Sequence, residues 1–312
     1  MGVANAVVTC AMPDQLAPRF PAYFDRILVD APCSGEGMFR RQAEAIGEWH
    51  AGSPAGCAER QLEILEQAVS MLAPGGFMVY STCTFNDVEN EGVLARFLPG
   101  HPELSLQPIA LPGLPDGSCG YLHLYPHEIR GEGHFISLLR KEGGVPCAGN
   151  AACAAADERR AAGSPRAGKP PRAGRAQAAA LPELPDVLAP GVSLGAVRQA
   201  GDCLWVFPGA LDDPGRLCGL RVLRTGLLLA RAQGRRTEPE HALAMALRPE
   251  QAARTAELTA EQALSYQAGE ALDLGDRPAG FTLMTCQGVP LGWGKQAGGM
   301  MKNHYPKGLR RR

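Results

Sequence analysis

The chain has 312 residues, with 31 basic and 32 acidic side chains, so it is long enough for two or three domains with cores of their own, and its overall charge names no partner. No secretory signal opens the sequence, and no apolar run reaches the roughly 18 residues that a membrane-spanning helix needs. Its ten cysteines form no CxxC pair, which argues against a structural zinc site or any other metal centre; the thiols read as reduced and the protein as cytosolic.

In chain order, "NAVVT" (5–9) is a short β-branched run that reads as a strand. "YFDRILVD" (23–30) is almost continuously apolar, the pattern of a strand buried on both faces. "AERQLEILEQAVSML" (58–72) places Leu62, Leu65, Val69 and Leu72 at helical spacing, and "APGG" (73–76) stops that helix. "FMVYSTC" (77–83) is the next strand, which completes a strand–helix–strand unit of a parallel sheet. "NDVENEGVLARFL" (86–98) reads as a helix, with Asn86 and Glu89 as a capping-box-like start. "YLHLYP" (121–126) and "HFISLLR" (134–140) are two further strands.

From 143 to 180 the sequence is rich in Ala, Gly, Pro and Arg and lacks large apolar side chains, so it is expected to be a disordered linker. Beyond it, "CLWVFP", "GLRVLRTGLLLARA" and "HALAMAL" suggest mixed strands and a short helix. "LTAEQALSYQAGEAL" (258–272) is expected to be helical, and "GFTLMTCQGVPLGWGKQ" (280–296) reads as a hairpin that turns near "QGVP". From Lys295 the tail is basic with no acid, either a solvated terminus or a nucleic-acid contact.

Asp30, Cys33 and Cys83 all fall at the carboxyl ends of predicted strands, where open parallel sheets bind ligands. Strands joined by one crossover helix are usually neighbours, so the two cysteines face one crevice. Redox chemistry usually uses CxxC and a metal would need more ligands, which leaves covalent catalysis, with one thiol attacking and the other assisting. Ser34, Gly35 and Gly37 shape the loop after the strand. Cys57 and Cys119 match no motif and read as packing residues.

"FDRILVDAPCSGEGMFRR" and "RQLEILEQAVSMLAPGGFMVYSTCTFNDVENE" closely resemble the Sun-family RNA cytosine-5 methyltransferases. "HEIRGEGHFISLLRK", "EPEHALAMAL" and "PLGWGKQAGGMMKNHYPKGLRR" look like its RsmF-type branch, which acts on 16S ribosomal RNA. The resemblance implies an α/β fold in four parts. These are the C-terminal part of a Rossmann-like methyltransferase domain (1–142), the linker (143–180), an RsmF-like first C-terminal domain (181–248) and a PUA-like RNA-binding domain (249–312). It further implies S-adenosylmethionine as cofactor, Cys83 as the thiol that bonds to the base, Cys33 as the thiol that helps release the product, and Asp30 beside cofactor and cytosine. Arg40 and Arg41 can hold RNA phosphate at the crevice mouth, or simply solvate a helix start. Lys295, Lys302, Asn303, His304, Tyr305 and Lys307 suit phosphate and base stacking. Glu89 to Glu91 can contact substrate, but capping is the simpler role.

The family's glycine-rich cofactor loop and ribose-binding acid have no counterpart in this sequence. Without the strand that carries that loop, the strand ending at Asp30 is expected to have an open apolar edge, and the chain to bind S-adenosylmethionine poorly. The expected explanation is a truncated start; a separate chain carrying the missing N-terminal half is the alternative. Two rival functions stay open: a non-catalytic RNA-binding protein with a remnant active site, and a transfer RNA cytosine-5 methyltransferase. A DNA methyltransferase fits less well, since it would not need Cys83.

Overall fold

The computed structural model describes residues 3–143, 186–195, 197–209, 211, 213–233 and 236–311; the predicted linker, apart from Gly143, lies outside them. The described residues form two compact units, one within 11–143 with 216–218, the other within 3–10, 186–215 and 219–311. In chain order the elements up to 143 are β1 (Val7–Cys10), α1 (Pro13–Leu16), β2 (Phe24–Asp30), α2 (Ala43–Glu48), α3 (Ser53–Met71), β3 (Leu72–Thr82), α4 (Glu91–Phe97), β4 (Leu104–Leu106), β5 (Tyr121–Leu124) and β6 (His134–Lys141).

The first unit is built on the sheet β2-β3-β6-β4, with β5 also paired to β6. β2 and β3 run parallel, with Asp30 opposite Ser81, joined by the crossover helix α3. β3 and β6 run antiparallel, with Ser81 opposite Ile136. Helix α3 starts at Ser53, earlier than its apolar spacing predicts, because Pro54, which has no N–H, suits a first turn whose N–H groups find no partner within the helix. It ends as Leu72 turns extended; Ala73 precedes a proline, which disfavours helix, and Gly75 (φ +79) lies past the end rather than capping it. Ala58, Leu65, Ala68 and Val69 of α3 and Val93, Leu94 and Phe97 of α4 pack on Val29, Met78, Tyr80, Phe135 and Leu139 to form the core.

That core covers one face of the sheet. On the other, Arg26, Leu28, Phe77, Val79 and Leu138 line a trough of about 490 Å³. Leu28 is 70% exposed, and of β2 only Val29 is buried. The expectation of a strand buried on both faces is therefore corrected: β2 lies at the edge of the sheet, and among the described residues nothing packs on its outer face. The open apolar edge anticipated from the sequence is present. Arg26 lies 4.6 Å from the centre of the Phe77 ring and shields part of the trough.

β1 does not join this sheet; it pairs antiparallel with β9 (Arg221–Thr225) in the second unit. That unit also holds β7 (Val197–Ala200), β8 (Cys203–Val206), β10 (Leu227–Gln233), β11 (Arg236–Pro239), α5 (His241–Ala246), β12 (Thr255–Glu257), α6 (Ala260–Ala268), β13 (Gly280–Cys286), β14 (Val289–Ala297) and β15 (Met300–Asn303). The apolar run at 219–232 is broken at Gly226 (φ +76), where a Cβ would lie 2.0 Å from the Val206 carbonyl oxygen. The break lets β9 pair with β1 while β10 enters the sheet β11-β10-β8-β7. The sheet β12-β13-β14-β15 contributes Phe281, Leu283 and Trp293 to a core shared with Leu204, Leu229 and Leu243. The predicted hairpin is β13–β14. Its turn residues Gln287 (φ +52) and Gly288 (φ +73) are both left-handed, as a two-residue turn matched to strand twist requires. Helix α6 is shorter than predicted: Thr259 caps its start, and Gly269 (φ +98) ends it.

Candidate active site

Parallel pairing of β2 and β3 carries Asp30 and Ser81 to the same end of the sheet, and the Ala31 N–H still donates to the Ser81 carbonyl at 2.9 Å. The two chains then diverge into the loops that hold the cysteines. Cys33 Sγ and Cys83 Sγ lie 3.2 Å apart, and the Cys83 N–H points at Cys33 Sγ from 3.3 Å. The sequence-predicted apposition of the two thiols is thus present in the fold.

Two glycines make the approach possible. Gly35 is left-handed (φ +70), and the Gly37 N–H donates to the Cys83 carbonyl at 2.9 Å. A Cβ on Gly37 would sit 2.8 Å from that carbonyl oxygen and 2.9 Å from that of Glu132.

The pair shares its proton unequally. The hydrogen bond from Cys33 holds the Cys83 thiol down at about 7, against burial and the charges of Asp30 and Glu89, which push it up. Cys33, as the donor and itself partly buried, is pushed far above the usual thiol range. These influences favour a thiolate at Cys83 over one at Cys33.

Asp30 stands exposed at the crevice rim. Ser81 Oγ donates to its Oδ1 at 3.2 Å, and His134 Nε2 lies 4.0 Å from the same oxygen. Its carboxylate has room to accept from a ligand.

Beneath the thiols lies a polar network that includes Asn86 and Glu89, the pair whose spacing predicts a helix cap. Glu89 is fully buried. Its carboxylate accepts from the Ser34 N–H (3.0 Å), the Ser34 hydroxyl, Gln61 Nε2 (2.8 Å) and Asn86 Nδ2 (2.9 Å). Glu36 reaches the opposite way, from the Cys33 loop to Thr84 Oγ1 (2.8 Å) and the Phe85 N–H (3.0 Å). Helix α4 begins only at Glu91, and its N-cap, Asn90, makes no side-chain cap bond. The Asn86–Glu89 spacing is therefore a loop bracket, with the Glu89 N–H donating to Asn86 Oδ1 at 3.0 Å.

Of the predicted RNA contacts, Arg40 is exposed beyond the Gly37 turn, and Arg41, also exposed, pairs with Glu132 at 3.4 Å. In the second unit, Lys295 and Lys302 are cross-strand partners, and Lys295 Nζ lies 4.7 Å from the centre of the Phe281 ring. His304 packs edge-on to the same ring, half-buried, and burial holds its imidazole below the usual range. Tyr305 packs against Tyr266 and His241, while Lys307 is exposed. Lys302 and Lys307 are thus the freer of the basic groups, and His304 and Tyr305 also serve packing.

Comparison with known proteins agrees with this layout. Residues 1–140 match the family described as 16S rRNA methyltransferase RsmB/F. Residues 184–247 match the RsmF rRNA methyltransferase first C-terminal domain, and 253–311 the methyltransferase RsmF PUA domain. The ribosomal RNA small subunit methyltransferase F of Klebsiella pneumoniae (strain 342) is 33% identical over 99% of this chain and 63% of its own length. That of Erwinia tasmaniensis is 31% identical with the same coverage. The chain thus spans 63% of the length of these relatives. A crystal structure of NSun6 from Pyrococcus horikoshii with SFG is 28% identical, with a TM-score of 0.37 over 43% of this chain and 34% of that one. With all three of these domain families in their places along it, the chain belongs to the RsmB/F methyltransferase family and carries the C-terminal domains of its RsmF branch.

Proposed function

We propose that this chain carries the thiol-catalytic and RNA-binding parts of an S-adenosylmethionine-dependent enzyme that methylates C5 of a cytosine in 16S ribosomal RNA. The observation that carries this reading is the Cys33–Cys83 pair, 3.2 Å apart at one end of the sheet, with Cys83 held at about 7. C5 of cytosine is a poor nucleophile. Addition of the Cys83 thiolate to C6 pushes electron density onto C5 and makes it enamine-like; after methylation, loss of the C5 proton and rupture of the Cys83–C6 bond restore the ring. Cys33 keeps a proton beside the leaving sulfur and so assists release. Asp30 can hold the N3/N4 edge of a base that has left its stack.

S-adenosylmethionine supplies the methyl group in this reading. The described crevice offers one of the groups expected to hold it, Asp30, and neither the glycine loop nor the ribose-binding acid. These residues do not by themselves form a cofactor site. The alternative reading is a non-catalytic RNA-binding protein with a remnant thiol pair, supported by the PUA-domain match at 253–311.

RNA containing 5-azacytidine separates the two readings, because a nitrogen at the C5 position leaves no C5 proton for elimination and the adduct persists. The chain is expected to form an adduct that survives denaturing electrophoresis. Cys83→Ala should abolish it, whereas Cys33→Ala should retain it. Exchange of these phenotypes would reverse the two roles; no adduct with any variant, despite RNA binding, would favour the second reading.

A further inference from the structure

Glu89 is the most deeply placed acid near the thiols, and helix capping does not explain it. Its carboxylate touches no N–H of α4. It faces four donors instead, two on Ser34, one on Gln61 and one on Asn86. Ser34 follows Cys33 directly, and Asn86 lies three residues past Cys83. Gln61 anchors the arrangement to α3, and its Nε2 also lies 2.9 Å from the Pro32 carbonyl oxygen, one residue before Cys33. The Tyr80 hydroxyl closes the base of the network at the Glu89 carbonyl, 2.6 Å away.

A buried carboxylate is a poor way to gain stability, since its desolvation cost offsets most of what its partners return. What four donors from three segments do supply is a fixed geometry. Here those segments are the two cysteine loops and the helix beneath them. We propose that Glu89 is a positioning residue, whose carboxylate ties the Cys33 loop to the Cys83 loop and so keeps the two sulfurs in hydrogen-bond contact. It acts through the thiols and touches no reacting atom. The inference deepens the proposed function, since it names the residue that prepares the proposed nucleophile.

The test rests on a sign. The negative charge of Glu89 opposes a thiolate at Cys83, as does that of Asp30, while the bond from Cys33 favours it. If Glu89 acted only as a charge, Glu89→Gln would lower the pH at which Cys83 becomes reactive. If it holds the sulfurs together, the same change loosens the Cys33 bond and raises that pH. The measurement is the pH midpoint of Cys83 alkylation by iodoacetamide, resolved by peptide mass spectrometry on the full chain, with circular dichroism to confirm folding. A rise of about one unit is expected for Glu89→Gln, with partial recovery in Glu89→Asp. An unchanged or lowered midpoint overturns the proposal. Should Glu89→Gln fail to fold, Ser34→Ala removes one of the four donors; its midpoint should rise by less, and no rise overturns the proposal. Thiol alkylation needs neither RNA nor cofactor, so its failure is distinct from failure of the RNA-adduct experiment.

Discussion

Replacing Cys33 with alanine removes the donor that holds the Cys83 thiol at about 7. Of the remaining influences, burial and then the charges of Asp30 and Glu89 push upward, against one backbone hydrogen bond that pushes down. Cys83 in the variant should therefore titrate at or above an ordinary thiol, about 8.5, a shift of about 1.5 units. At pH 7 the thiolate fraction falls from roughly one half to ~3%, a drop of ~15-fold. Thiolates of higher pKa are intrinsically better nucleophiles, which returns a factor of ~5, so alkylation at pH 7 slows by only ~3-fold. The midpoint is the cleaner observable, and the plateau rate at high pH should exceed that of the wild type. Iodoacetamide rates at Cys83 from pH 5.5 to 10, resolved by peptide mass spectrometry, give both quantities. Cys33→Ser keeps a hydroxyl donor and should fall between the two. A midpoint still at about 7 in Cys33→Ala would mean that Cys33 is not the group holding the proton, and the division of roles between the thiols would lose its basis.

Gly37→Ala places a Cβ against the carbonyl oxygens of Cys83, Glu132 and Gly133, at 2.8, 2.9 and 3.1 Å. The cost should be about 1–3 kcal/mol in denaturant melts, with the Cys83 midpoint displaced as the loop shifts; a neutral variant would show that the loop yields freely. Leu28→Lys, at a position 70% exposed on the uncovered face, should reduce light scattering at high concentration and leave thermal stability nearly unchanged; a large drop in Tm would mean that Leu28 is packed. His241 and His304 are both held below the usual imidazole range by burial, so the unfolded chain binds their protons more readily than the folded one. Their contribution is present above the unfolded value of about 6.5 and is lost as pH falls below it. The denaturation midpoint reported by the Trp205 and Trp293 fluorescence should therefore fall between pH 7 and pH 5, and fall less in His304→Phe.

Much of the fold can be read in the residues because local chemistry and tertiary context agree. The 3.6-residue spacing of Leu62, Leu65 and Val69 marks the helix that packs on the sheet, and "QGVP" supplies the left-handed turn that its hairpin needs. The departures arise where pairing partners decide. The run at 23–30 is apolar enough for burial on both faces, yet burial requires a covering layer that a strand's own sequence cannot specify. The β-branched stretch at 7–10 forms a strand as its composition suggests, but composition does not say which edge it meets; in the fold that edge is β9. The apolar stretch at 219–232 looks continuous until Gly226 is seen to adopt a left-handed conformation where a side chain would strike Val206.

The thiol site divides in the same way. Two cysteines at the ends of strands joined by one crossover helix must lie near each other, because parallel neighbours bring their carboxyl ends together. Topology alone therefore carries Cys33 and Cys83 into one crevice. It does not bring two sulfurs to 3.2 Å, since the loops after the strands are free to diverge. That last approach is made by Glu36 and Glu89, each reaching from one loop to the other. For Glu89 the signal is present in the sequence but ambiguous, because Asn86 and Glu89 have the three-residue spacing of a capping box. Two features favour the bracket: the helix starts after Glu89 rather than at Asn86, and the partners of the carboxylate lie some 28 and 55 residues away in sequence, on Gln61 and Ser34. A carboxylate with only local partners is usually a cap at the surface, whereas one with distant partners must be buried to meet them and fixes whatever those partners carry. Here they carry the two cysteine loops, so the geometry of the thiol pair is set at Glu89, below the crevice.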